Sequence, residues 1–296
     1  MILAAAALAA LAIALAVPVP VALSRAAWTR RAPASATLLW QAIALSGGLS
    51  MIGSLAVLGL SPFGDDLLDA AAGLAEAVRS GSGAAVVPTV ALGSAALLLA
   101  HLLLTLVLTT AAGYRERARH RALAQLLSSP LRADARVIDD PAPVAYCVPG
   151  DGADSLTVVS AGLVDLLDEG ELEAVIAHER AHLEQRHHLL TTSFQAWSLS
   201  LPWFPIASVA RREVALLVEL LADDRALRTA SAGALRRAIA LVAAPGRESA
   251  ATARIRIERI GAAPLPLAAR IAVGALAAGL LLVPTLLLAG QAVPSL

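Results

Sequence analysis

Ala174-Val175-Ile176-Ala177-His178-Glu179-Arg180-Ala181-His182 is the stretch on which the reading of this chain turns. On a helix, residues four apart lie about 40° apart around the axis and roughly 6 Å apart along it. His178 and His182 therefore offer their imidazoles from one side to a single metal ion, with Glu179 between them as a candidate general base. The flanks carry the same period. Asp168 followed by Glu171 predicts a capping-box start. Leu172, Val175, Ile176 and Leu183 form an apolar stripe, and Glu173, Arg180 and Glu184 the opposite polar face. Glu179 falls in the middle of the apolar stripe, where a carboxylate needs a cation or a hydrogen-bond partner because burying it alone is too costly. A metal between the histidines supplies that charge. The competing reading, two solvated histidines and a misplaced glutamate, leaves this placement unexplained.

A catalytic zinc takes three protein ligands and keeps one position open. No histidine occupies 183–186, and His187 and His188 lie too close along the same chain to be obvious partners. Glu219, in Glu219-Leu220-Leu221-Ala222-Asp223-Asp224-Arg225, is the best candidate. On a helix, Glu219 and Asp223 share a face with Ala215, Ala222 and Ala226. Such small side chains let this helix approach the strip Ala174, Ala177, Ala181 of the histidine helix. Glu219 would coordinate, and Asp223 would hydrogen-bond the outer nitrogen of a ligating histidine. Asp224 and Arg225 point elsewhere. One zinc per chain is expected, and no transition-state donor stands out beyond guesses at His187, His188 and Arg225.

The surroundings are those of a membrane protein: 58% hydrophobic residues and only 16% charged. All 23 basic residues are arginine, and the formal net charge of zero predicts no nucleic-acid partner. The single cysteine, Cys147, excludes an internal disulfide and a cysteine-only metal site, and reads as a small buried apolar residue.

Three apolar spans are predicted within 1–112, at about 2–23, 38–60 and 86–112, and a fourth at 268–290 within 265–296, interrupted by Pro284. A cleaved signal peptide competes for the first, with Ala14-Leu15-Ala16 as its site. His101, inside the third, is either functional or a neutral histidine bonded to a neighbouring helix; the second is favoured. Arg25, Arg30 and Arg31 follow the first span, and Arg115, Arg117, Arg119 and Arg121 follow the third, whereas Asp65, Asp66, Asp69 and Glu76 lie between the second and third. Basic flanks stay in the cytoplasm, so both termini are expected outside and the site inside a plasma membrane. Residues 113–264 read as an α+β unit: a helix near 115–128 ending at Ser128-Ser129-Pro130, strands at 136–138, 143–148 and 155–160, and a turn at Pro149-Gly150-Asp151-Gly152. The uncharged run 189–210 is expected as a re-entrant hairpin or an interface-lying segment. Pro202 and Pro205 break it, Trp197 and Trp203 sit near the headgroups, and a single crossing would separate Glu219 from the histidines. Arg254-Ile255-Arg256-Ile257-Glu258-Arg259-Ile260 reads as an edge strand or an amphipathic surface segment.

Val175–His182, the spacing to Glu219-x-x-Ala222-Asp223, and Trp203-Phe204-Pro205 before it resemble the membrane metallopeptidases of the beta-lactam sensor/transducer (antirepressor) family, itself similar to the CAAX prenyl protease and heat-shock membrane protease group. The resemblance spans about 114–230. It implies an α-helical membrane protein with a zincin-like α+β domain of gluzincin type, with His178, His182 and Glu219 as ligands and Glu179 as base. It also implies a substrate strand lying along Tyr146 and Ser155, Leu156, Thr157, Val158, Val159 and Ser160. The implied substrate is a cytoplasmic winged-helix repressor, or the protease itself. Sensing members carry an extracellular domain after the last span, whereas this sequence stops at Leu296, so no beta-lactam binding is expected of it. A quality-control protease for membrane proteins is the alternative within enzymes. A non-catalytic zinc-dependent sensor or scaffold is the alternative outside them, and Glu179 argues against it because a structural zinc has no use for a base.

Overall fold

A computed structural model describes residues 1–82, 85–132, 135–150, 155–202, 205–242 and 250–292. Among the described residues, four stretches are long and apolar enough to cross a membrane: Ile2–Ser24, Pro33–Leu60, Val86–Leu127 and Leu267–Ala289. The first is two helices, α1 (Ile2–Ala16) and α2 (Pro18–Ser24), because Pro18 and Pro20 cannot continue the amide ladder across Val17. α3 (Pro33–Leu60) follows a 3-10 turn at Ala27–Arg31. α4 (Leu67–Ser80) is a short connecting helix, capped by the Asp66 carboxylate and closed by Gly81 at φ 69°.

α5 (Val86–Leu127) corrects the expectation of a span ending at 112 and a separate helix at 115–128. It is one helix of 42 residues, about 63 Å long, twice the thickness of a hydrocarbon core. No proline interrupts it after Pro88, and its arginine-rich second half consists of good helix formers. The helix ends where expected, at Ser128-Ser129-Pro130. That stretch opens β1 (Ser128–Arg132), an edge strand, which tolerates the proline's missing donor.

β2 (Ala135–Ile138), β3 (Ala145–Val148) and β4 (Leu156–Ser160) complete a sheet of order β1-β2-β4-β3. β1 and β3 pair antiparallel to their neighbours, while β2 and β4 run parallel. The expected strands fall in place, but not all at an edge. β4 is interior, bonded to β2 on one side and β3 on the other. Val158, Val159 and Ser160 have backbone partners on both sides, which leaves them no free edge for a substrate strand, whereas Leu156 and Thr157 pair with β3 alone. β3, with Tyr146, is the edge strand next to β4. The turn residues Asp151 and Gly152 lie outside the described residues.

α6 (Ala161–Leu166) leads into α7 (Glu169–Glu184), the histidine helix. Its capping box is formed as expected: Asp168 accepts from Glu171 N at 2.8 Å, and Glu171 accepts from Asp168 N at 3.0 Å. Arg237 of α10 (Ala232–Val242) holds the other Glu171 oxygen at 2.7 Å. Leu172 and Ile176 bury against Val159, Leu163 and Leu167, which seats α7 on the sheet.

The uncharged run becomes a helical hairpin. α8 (His187–Ser200) runs alongside α5, and α9 (Pro205–Ala226) returns beside it toward α7. Trp203 and Phe204 lie outside the described residues. Trp197 packs on α3 where Gly48 leaves room: a Cβ there would come within 2.9 Å of the indole. His101 of α5 donates from Nε2 to the Ser200 carbonyl at 3.0 Å, satisfying one of the acceptors that the end of α8 leaves open. The bland account of His101 is the one the hydrogen bonding supports. Trp40, Phe194, Val214, Leu217 and Leu220 form the main core and clamp α9 to α3. α11 (Ala250–Arg259) and α12 (Leu267–Ala289) end the described chain. Of the Arg254–Ile260 segment, left between strand and surface segment, residues up to Arg259 are helical and Ile260 opens the turn that follows.

Candidate metal centre

α7 and α9 meet through small residues: Ala174, Ala181, Ala222 and Ala226 are all at most 1% exposed. This close approach brings three side chains to one point. His178 Nε2 and His182 Nε2 lie 3.1 Å apart. Glu219 places Oε2 3.3 Å from His178 Nε2 and Oε1 3.5 Å from His182 Nε2. Donors about 2 Å from a common tetrahedral centre lie about 3.3 Å from one another. The observed separations match that figure, so two imidazole nitrogens and one carboxylate oxygen suit zinc in number, type and spacing.

The outer nitrogens are also held. His178 Nδ1 donates to Asp223 Oδ1 at 3.0 Å, and Asp223 is fully buried. His187 donates from Nε2 to Gln185 Oε1 at 2.8 Å, which leaves its Nδ1 to accept from His182 Nδ1 at 3.0 Å. With the Nδ1 atoms held in this way, each ring would offer its Nε2 lone pair to a metal at the centre, His178 once it has given up the proton it shares with Glu219. His187, a guess as a transition-state donor, lies behind His182 and bonds its outer nitrogen. Arg225 pairs with Glu184 at 2.7 Å and points away, while Asp224 pairs with Arg259 at 2.6 Å. His188 lies in a separate cavity described below.

Arg256 of α11 went unnoticed in the sequence. It is 6% exposed and grips Asp223 with two nitrogens, Nε to Oδ2 at 2.8 Å and NH2 to Oδ1 at 2.6 Å. Its NH1 reaches Glu219 Oε2 at 3.1 Å. The signal that exposes Glu179 was also present here, a charged residue on a buried stripe. Ala253, Arg256 and Ile260 are buried at helical spacing. The alternation of arginine and isoleucine masked it as period two.

Electrostatics follow this geometry. Burial disfavours a charged His178, but its hydrogen bonds to Asp223 and Glu219 outweigh that and raise its pKa to about 10. Burial, with the charge of His178, lowers His182 to about 4. Glu219 is held at about 2: its hydrogen bond from His178 and the nearby cations overcome its desolvation. Asp223 is lowered against desolvation by His178 and Arg256. Glu179 moves the other way, raised by burial and by the charge of Glu219. The Cys147 thiol of β3 donates a hydrogen bond to Glu179, and burial beside that carboxylate pushes the thiol well above its ordinary range. Cys147 is thus more than an apolar filler.

Residues 111–253 match the model of Peptidase family M48. The matched segment covers the sheet, α7, the hairpin and Glu219, and stops three residues short of Arg256. A protease HtpX homolog of Dictyoglomus thermophilum is 50% identical over 48 residues, 16% of this chain and 16% of the relative. Another, from Tropheryma whipplei, is 40% identical over 48 residues, again 16% of each chain. The chain thus aligns with about a sixth of the length of these curated relatives. No solved structure matches it. The matched segment contains both helices that carry the three converging donors.

Proposed function

We propose that the chain is an integral membrane zinc endopeptidase of M48 type with His178, His182 and Glu219 as the metal ligands. The observation that carries this reading is the convergence of those three side chains, with Glu179 half-buried next to His178 on the same helix. A bound zinc supplies Lewis acidity at this point. Asp223, braced by Arg256, fixes the His178 ring, and His187 fixes that of His182. Glu179, its proton affinity raised by burial, takes a proton from the attacking water and returns it to the departing amine. The outer edge of β3, at Tyr146 and next to Cys147, is where an extended substrate would add by strand pairing; Leu156–Ser160 would support it from within the sheet.

The four apolar helices and the arginines after the apolar part of α5 support a cytoplasmic active site with both termini outside. Residues 113–264 would be the peptidase domain, with three spans before it and one after. Among substrates, the likeness to relatives named as HtpX proteases favours a broad quality-control role over cleavage of one repressor, which rests on the beta-lactam transducer resemblance alone. The test is Glu179→Gln in the full chain. It should keep its zinc and lose turnover by about 10²–10⁴-fold, whereas His178→Ala should lose the metal. Unchanged proteolysis in Glu179→Gln would overturn the reading. A proteome comparison of cells carrying either form identifies the substrates.

A further inference from the structure

A second polar cavity lies away from the metal centre, where α5 leaves its apolar segment. It measures about 830 Å³ and is bounded by α5, the end of β3, the start of β4, the outer face of α7 and the start of α8. None of His178, Glu179, His182 or Glu219 lines it. Arg117, Arg121, Arg180 and Arg186 do, against one carboxylate among the described lining residues, Glu184, which Arg225 already holds at 2.7 Å. The wall therefore carries an excess of positive charge in a chain whose formal net charge is zero.

Two of its polar atoms are buried without a hydrogen-bond partner among the described residues: Arg121 Nε and His188 Nδ1. Arg121 spends NH2 on the Pro149 carbonyl, and Arg117 stacks over the Tyr114 ring at 4.8 Å. A buried guanidinium nitrogen left unpaired is costly, and an oxyanion is what relieves it. Tyr114, Arg117 and Arg121 recur on one face of α5, directly after residues 86–112. Leu103, Leu104, Val107 and Leu108 there are each at least half exposed, as is Leu189 nearly, at 47%. That places the cations at headgroup level with an apolar surface beside them for acyl chains.

We propose that this cavity binds a phosphate, presented by the headgroup of an anionic membrane lipid. The proposal rests on α5 crossing the membrane, but not on peptidase activity. Guanidinium groups match phosphate in charge and fork geometry.

The full chain, reconstituted in nanodiscs of phosphatidylcholine alone or doped with phosphatidylglycerol, is released into native mass spectrometry and its retained lipids are identified. Phosphatidylglycerol should be retained in preference to phosphatidylcholine. Arg117→Gln and Arg121→Gln should each weaken retention about fivefold, with a larger loss in the double variant. Zinc content, measured on the same samples, reports separately on the metal centre; since Arg121 also holds the Pro149 loop, Arg117→Gln keeps the test independent of any folding defect. Equal retention of the two lipids, or unchanged retention in Arg117→Gln and the double variant, overturns the proposal. Soluble glycerol phosphate or an acidic peptide binding as tightly as the lipid also overturns it, and assigns the cavity to a soluble anion or a substrate segment.

Discussion

Arg256 and Asp223 are joined by two parallel hydrogen bonds, 2.8 Å from Nε and 2.6 Å from NH2, with both side chains buried. The same carboxylate accepts from His178, so a residue on α11 sets the angle of an imidazole on α7 through α9. Replacing Arg256 by lysine keeps a charge but removes the fork. Zinc affinity in Arg256→Lys should fall by about 10–100-fold, as for other groups that orient a ligating histidine. Arg256→Gln should in addition lose stability, about 3–5 kcal/mol for a broken buried pair. Chelator competition and thermal unfolding read the two effects. A lysine variant with unchanged zinc affinity would show that the fork is structural only.

Metal uptake should release a proton. His178, with its pKa at about 10, is an imidazolium at neutral pH, while His182, at about 4, is already neutral. Coordination needs the Nε2 lone pair, so the proton shared with Glu219 must leave, while the Nδ1 proton stays with Asp223. Between about pH 4 and pH 10 the sign is fixed: apparent affinity falls roughly tenfold for each pH unit lost. Calorimetry at pH 7.5 in buffers of different ionisation enthalpy should find close to one proton released per zinc. No net release would refute the charged state assigned to His178.

Cys147 tunes Glu179. Its hydrogen bond stabilises the ionised carboxylate, opposing the upward push of burial. Removing it in Cys147→Ala should raise the pKa of Glu179, and the acidic limb of kcat/KM should move to higher pH. Serine, which can donate the same bond, should restore the limb. The thiol itself, raised by burial and by Glu179, should resist iodoacetamide at neutral pH in the folded chain and react after unfolding.

The legible parts of this site were those in which one residue contradicts its surroundings. Glu179 on an apolar stripe, and the capping box before it, exposed α7 as the helix that carries two of the converging donors. Glu219 and Asp223 were legible because alanines at helical spacing promise close helix contact. Arg256 obeys the same rule but sits in an alternating run, where a period of two competes with one of 3.6. The sheet order was hidden for another reason. Val158 and Val159 suit an interior strand as well as an edge strand backed by a helix, and only long-range pairing decides between them. The length of α5 was hidden because the apolar pattern ends near Ala112 while the helix does not.

His101 tests whether the hairpin is held by polar contacts as well as by packing. The last carbonyls of α8 lie beside the apolar part of α5, where water is scarce, and His101 is the side chain that donates to Ser200 O. In His101→Phe that acceptor loses its partner while the volume is nearly kept, so the cost is that of an unsatisfied carbonyl, about 1–3 kcal/mol. His101→Gln can restore the donor and should recover most of it. Because α9 continues from this turn to Glu219, loosening the turn should speed hydrogen exchange in α8 and the first half of α9. The ligand end of α9, clamped by Leu217 and Leu220 in the core, should stay protected and zinc affinity should not change. If His101→Phe instead lost zinc or turnover while its stability stayed intact, His101 would belong to the chemistry rather than to the hairpin.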